Sequence, residues 1–125
     1  MQTGYRVCDV MTRKPIAVTP KTTVRECAML MRDSNVSSLV VKEGDTLRGH
    51  ITDDVLIRSV LAEGLHVDRT TASDVMLVRV PTIEPKKDVY DALMAMRDYE
   101  TRQLPVVDRE NGSKLVGLLT LKDVL

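Results

Sequence analysis

Phenylalanine and tryptophan are absent from this sequence of 125 residues, and Tyr5, Tyr90 and Tyr99 supply its whole aromatic content of 2%. The core must therefore be aliphatic, built from Val, Leu, Ile and seven Met. Single-stranded nucleic acid is an improbable partner, because its bases need aromatic platforms to stack on. Net charge is lacking too. Eighteen basic and eighteen acidic residues cancel, so no overall field draws in DNA or an anionic membrane. No apolar run approaches the about eighteen residues of a transmembrane helix, and the opening "MQTGYRVCDVM" lacks the apolar stretch of a signal peptide. Cys8 and Cys27 are too far apart for a metal-ligand pair and make no disulfide framework. Reduced thiols in a cytoplasmic protein are the expectation.

Catalytic signatures are missing as well. No Ser-His-Asp arrangement, P-loop or Rossmann fingerprint is present. His50 and His66 have no second ligand at metal spacing, and His50 is expected in a strand, facing solvent or a binding cleft. The chain is expected to be no enzyme and to hold no catalytic cofactor or metal.

What is present is a repeat. With a shift of 65, residues 7–42 fall on residues 72–107, and twelve of the 36 positions are identical. Asp9-Val10-Met11 meets Asp74-Val75-Met76, Pro20-Lys21 meets Pro85-Lys86, and Leu39 and Val41 meet Leu104 and Val106. Chance gives far fewer, so the chain is a duplication. Further on, Gly49 aligns with Gly117 at a shift of 68, because "DRENGSK" holds three more residues than the loop around "EGDT". The organisation this predicts is a first copy over residues 1–64, a linker over 65–71 and a second copy over 72–125. Two copies suggest a pseudo-two-fold pair burying one shared surface.

Each copy reads alike. "PIAV" and "VPTI" are short strands closed by Pro20 and Pro85. A helix follows, with Thr23 and Glu26 at capping-box spacing and Asp88 as N-cap of the second copy. Val24, Cys27, Ala28 and Met31 lie on one helical face, repeated by Val89, Ala92, Leu93 and Met96. Two β-hairpins come next, turning at Gly44 and at Asn111-Gly112. "DDVLIRSVLAEG" closes the first copy as a helix, whereas "LKDVL" stops after barely a turn. The fold class is mixed α/β (α+β), in the order β-α-β-β-α, twice.

A copy of this kind, opening with "DVMT", carrying "LPVVD" and ending in "GLLTLKDVL", resembles a cystathionine β-synthase (CBS) domain. The tandem resembles a Bateman module over roughly residues 7 to 125. The resemblance implies two clefts between the copies that bind adenosine compounds: AMP, ADP or ATP, less often S-adenosylmethionine or a dinucleotide. It implies regulation of a partner, without chemistry of its own.

The pattern Gly–apolar–apolar–Thr–x–x–Asp also has a direct physical reading. Gly117 permits close backbone approach. Thr120 sits where strand becomes helix and N–H groups converge on an anion. Asp123 is placed to accept both ribose hydroxyls, and Lys122 to neutralise phosphate. Thr120 and Asp123 equally read as an N-cap and a first-turn charge, and both roles can coexist. By resemblance, Thr120 contacts phosphate and Asp123 holds ribose, while Thr12, Pro15, Ile16, Val36, Ser37 and Ser38 clasp the purine and Arg102 points at the phosphates. The mirror cleft would use Val80, Pro81, Thr101, Arg102 and Gln103 against Thr52 and Asp54. There the pattern breaks. Three residues beyond Thr52 stands Val55, and Ser37 takes the place of Arg102. One residue turns a helical side chain by about 100°, so the two sites are expected to be unequal.

The leading expectation is a nucleotide-sensing regulatory module, assembled as a homodimer and acting on an unidentified partner. The alternatives are a ligand-free dimerisation or interaction module, and the regulatory fragment of a larger enzyme or transporter, which the stop at Leu125 inside an expected helix keeps open.

Overall fold

A computed structural model describes residues 2–125. In chain order the elements are α1 (Val7–Val10), β1 (Ala17–Val18), α2 (Val24–Ser34), β2 (Ser38–Glu43), β3 (Thr46–Thr52), α3 (Asp53–Val55), which a π-helical stretch continues over Leu56–Leu61, α4 (Ala72–Val75), α5 (Val89–Asp98), β4 (Gln103–Asp108), a 3-10 turn over Arg109–Asn111, β5 (Lys114–Thr120) and a 3-10 turn over Leu121–Val124. The mixed α/β class is as expected. Two compact units form: a first, Ile16–Arg79, and a second, assembled from Met1–Pro15 and Val80–Leu125.

The caps lie where the sequence puts them. The Glu26 N–H donates to the Thr23 hydroxyl at 3.2 Å and the Thr23 N–H donates back to the Glu26 carboxylate at 3.3 Å, two otherwise orphaned donors satisfied together. In the second unit the Asp88 carboxylate accepts from the Tyr90 N–H at 2.7 Å and from the Thr3 N–H at 3.0 Å. These hydrogen bonds, the Tyr90 one first, hold its pKa below the usual carboxylate range. α2 buries Val24, Cys27 and Met31, with Leu30 packed on the flank. Ala28 is exposed, so the apolar stripe is narrower than the periodicity suggests. α5 buries Val89, Ala92 and Met96.

The two hairpins are near copies. β2 pairs antiparallel with β3 and β4 with β5, with register shifts at Val41/Lys42 and at Val106/Val107, equivalent places in the repeat. Leu39, Val41 and Ile51 enter the first unit's core, and Leu104, Val106 and Leu119 the second's. Each such aliphatic contributes about 1.5–3 kcal/mol relative to exposure.

The outer strand differs. β1 pairs parallel with β2, held in part by the Val40 N–H donating to the Ile16 carbonyl at 3.2 Å. "VPTI" forms no strand in the second copy, only a bridge from Ile83 to Val106. The cause lies in the neighbouring strand. Pro105 stands where the first copy has Val40, and proline has no N–H to give.

The units also cut across the repeats. α4, which opens the second copy, belongs to the first unit: the Ala72 N–H donates to the Thr22 carbonyl at 2.7 Å and the Ser73 N–H to the Pro20 carbonyl at 2.9 Å. α1 belongs to the second unit through the equivalent bonds, Val7 N–H to the Lys87 carbonyl at 2.8 Å and Cys8 N–H to the Pro85 carbonyl at 2.9 Å. Ala72 and Val7 each complete the core of the unit they join. The segment expected as a linker is tied down as well. Asp68 and Arg25 form an ion pair at 2.5 Å, and the Val24 N–H donates to the Thr70 carbonyl at 2.9 Å.

Candidate functional site

In the second unit β5 ends at Thr120, opposite Gln103 in the hairpin register. The Leu121 N–H donates to the Arg102 carbonyl at 2.8 Å, which fixes the start of β4 against the strand-to-helix corner. Thr120 and Asp123 form a reciprocal cap there. The Asp123 N–H donates to the Thr120 hydroxyl at 3.3 Å, and the Thr120 N–H donates to Asp123 Oδ2 at 2.9 Å. The residues cap the turn, and Asp123 Oδ1 is left without a partner among the described residues. Arg102 and Lys122 are exposed and in no ion pair among the described residues. Thr12 joins the same unit, bridged to Leu118 by two hydrogen bonds of 2.9 Å. Pro15, Val80, Pro81 and Thr101 also belong to this unit, and the Thr101 hydroxyl donates to the Gln103 carbonyl at 3.1 Å.

The corresponding corner of the first unit has the same backbone and a different chemistry. Thr52 lies opposite Ser38, and the Asp53 N–H donates to the Ser37 carbonyl at 2.9 Å. The Thr52 hydroxyl accepts from the Val55 N–H at 3.1 Å, so the cap is half made, because Val55 has no carboxylate to return. Asp54 turns along the helix to Arg58 at 2.8 Å. Ser37 supplies no cation, and Asp53 adds a second acid. Ile16, Val36, Ser37 and Ser38 lie in this unit, with Ser38 buried.

The glycines have a reason internal to each unit. A Cβ on Gly117 would lie 2.6 Å from Met11 Sδ and 2.8 Å from the Thr12 carbonyl oxygen; on Gly49 it would lie 2.6 Å from Met76 Sδ and 2.9 Å from the Leu77 carbonyl oxygen. The close approach is thus made by the chain's own "DVM" turn. Sequence reasoning missed this contact, although the signal was present: Asp-Val-Met and the glycine recur together in both copies.

His50 corrects an expectation. It is buried, 2% exposed, and so does not face solvent. It shares a β-sheet face with Val40, its register partner, and stands where the second copy has Leu118. Among the described residues its Nε2 has no partner, and burial pushes its pKa down to about 4. Burial likewise pushes the Cys27 thiol up to about 11. His66 is exposed, its Nδ1 accepting from the Asp68 N–H at 3.2 Å. Among the described residues no cluster of His, Cys, Asp and Glu could hold a metal ion, and no helix is long and apolar enough to cross a membrane.

Comparison with known proteins agrees with this architecture. The CBS domain model matches twice, at residues 7–62 and 72–125. An uncharacterized protein of Methanopyrus kandleri, MK0525, is 38% identical over 120 residues, covering 95% of this chain and 60% of that protein. The CBS domain-containing protein YhcV of Bacillus subtilis is 35% identical over 119 residues, 94% of this chain and 81% of its own. The chain thus spans less than two thirds of the first relative and most of the second. Among solved structures, the CBS domain pair of protein MJ0100, in complex with 5-methylthioadenosine and S-adenosyl-L-methionine, superposes with a TM-score of 0.83 at 25% identity, covering 96% of this chain and 92% of that one. With both repeats matched by the family model and YhcV 35% identical over most of its length, the chain belongs to the CBS domain family, as a tandem pair.

Proposed function

We propose that the protein is a regulatory module that senses an adenosine compound, and that its stronger site is built on the Thr120 corner. One observation carries the reading. Among the described residues Asp123 keeps one carboxylate oxygen free and the cations Arg102 and Lys122 are unpaired, all on the unit that also holds Thr12. A ribose needs the acceptor and a phosphate needs the cations. The adenosine ligands of the MJ0100 pair support the same class of ligand. The corner around Thr52 is the weaker site: Asp54 is engaged by Arg58, and Ser37 offers no charge.

The module acts by a shift in conformation or assembly that the ligand biases through its differential affinity for two states. Catalysis is assigned to none of its residues. Assembly as a homodimer is part of the proposal, supported by the exposed apolar side chains of Ile57 and Leu61 at the end of the first copy and of Leu65 just beyond it.

A thermal-melt panel with AMP, ADP, ATP, S-adenosylmethionine and NAD, with GTP as control, tests the reading. A ligand at one hundred times its Kd adds about 2.7 kcal/mol, a rise of several degrees for this size. The expected result is a rise with an adenosine compound that Asp123→Ala abolishes and Asp54→Ala leaves. No rise with any of them favours an interaction module with empty sites.

A further inference from the structure

The second unit carries a surface cavity of about 290 Å³, lined by Thr82, Ile83, Glu84, Lys87 and Arg109. It shares no residue with the Thr120 corner. Ile83, 8% exposed, gives it an apolar floor. Two cations and one carboxylate line it, and among the described residues the side chains of Thr82, Glu84, Lys87 and Arg109 have no hydrogen-bond or ion-pair partner. The neighbouring Lys86, by contrast, is engaged by Glu110 at 3.7 Å.

The duplication supplies a control. In the first copy Thr19 and Thr22 stand where Glu84 and Lys87 stand here, and Gly44 stands where Arg109 does. The backbone turn is the same: the Thr22 N–H donates to the Thr19 carbonyl at 3.1 Å, and the Lys87 N–H to the Glu84 carbonyl at 3.2 Å. The side chains are not. Thr22 Oγ1 accepts from the Thr19 N–H at 3.1 Å and lies 3.2 Å from Thr19 Oγ1, so two short neutral groups satisfy each other. At the same place the second copy holds three charged groups with no mutual bond. Arg109 comes from the loop that is three residues longer in this copy.

We propose that this cavity is a second ligand site, specific to the second copy, which binds a small phosphate monoester bearing hydroxyl groups. The guanidinium of Arg109 and the ammonium of Lys87 take the phosphate oxygens, with the Thr82 hydroxyl as a further donor. Glu84 would repel a bare anion but accepts hydrogen bonds from hydroxyls on the organic part, which sets the preference for an ester over inorganic phosphate. The volume lies just below the usual range of ligand pockets, about 300–1,000 Å³, and suits a short phosphorylated polyol. The site is independent of the nucleotide reading, since neither Thr120 nor Asp123 takes part.

Glycerol 3-phosphate is the probe, titrated into the full chain and followed by amide NMR shifts, with inorganic phosphate and glycerol alongside. Saturable shifts confined to residues 82–88 and 108–111 are expected, with affinity for glycerol 3-phosphate above that for inorganic phosphate. Arg109→Gln and Lys87→Gln are exposed substitutions that leave the fold intact, and each weakens binding by about tenfold. Glu84→Gln narrows the preference for the ester. Asp123→Ala leaves these shifts unchanged, even where it abolishes a nucleotide response. No saturable shift, shifts insensitive to both cation variants, or equal affinity for inorganic phosphate would each overturn the proposal.

Discussion

The two strand-to-helix corners began as one sequence and now carry opposite charge. At Thr120 the flanking groups are Arg102, Lys122 and Asp123; at Thr52 they are Ser37, Asp53 and Asp54, with Arg58 drawn onto Asp54. The backbone is conserved between them down to the equivalent hydrogen bonds, Leu121 N–H to Arg102 and Asp53 N–H to Ser37. Scaffold and chemistry have therefore separated. The hairpin and its corner are fixed by packing, which the two copies share, whereas the side chains proposed to meet a ligand are less constrained by that packing and are free to differ.

Substitutions that exchange features between the copies test this separation. The largest effect is expected at His50. Its pKa is about 4 in the folded chain against 6.5 when unperturbed, so the unfolded chain binds the proton better. Stability is whole above about pH 6.5 and falls as pH drops towards 4, by up to about 3 kcal/mol. His50→Leu, which copies Leu118, should flatten that loss in urea denaturation at pH 7 and pH 4.5. An unchanged pH slope would show that other groups carry it.

Next come the glycines. Gly117→Ala and Gly49→Ala each drive a Cβ against a methionine sulfur that can yield and a backbone carbonyl that cannot. Each should cost about 1–3 kcal/mol, and similar losses at the two sites would confirm that the turn-to-glycine contact serves both units alike. Val40→Pro imposes the second copy's defect on the first. It removes the bond to the Ile16 carbonyl and should cost about 1 kcal/mol, with faster amide exchange along β1. The smallest effect is expected for Asp33→Asn and Asp98→Asn. Their partners Arg32 and Arg97 are adjacent and exposed, and melting temperatures should stay within measurement error.

Much of this was legible in the sequence because it is local or repeated. The capping box at Thr23 and Glu26 and the N-cap at Asp88 follow from spacing alone, and the duplication shows which positions face the core. The lost strand at "VPTI" was hidden because its cause, Pro105, lies in another segment. The burial of His50 depends on which face of β3 is covered, which alternation by itself does not decide. At the site, the pairing of Thr120 with Asp123 was readable, but not the free Oδ1 or the diversion of Asp54 to Arg58, since both are side-chain geometry.

The crossed membership of α1 and α4 sets an order of assembly. The first unit is one continuous stretch, closed by contacts such as Arg25 to Asp68, 43 residues apart. The second joins Thr3 to Asp88 across 85 residues. At equilibrium that extra span costs about 0.6 kcal/mol per doubling of loop length. During synthesis it matters more. Residues 16–79 are complete once Arg79 has emerged, while Val7 and Met11 wait for a core that has yet to be translated. At about 5–20 residues per second the delay is a few seconds, long against the folding of a small unit, so α1 stays unpartnered while the first unit has all of its residues in hand.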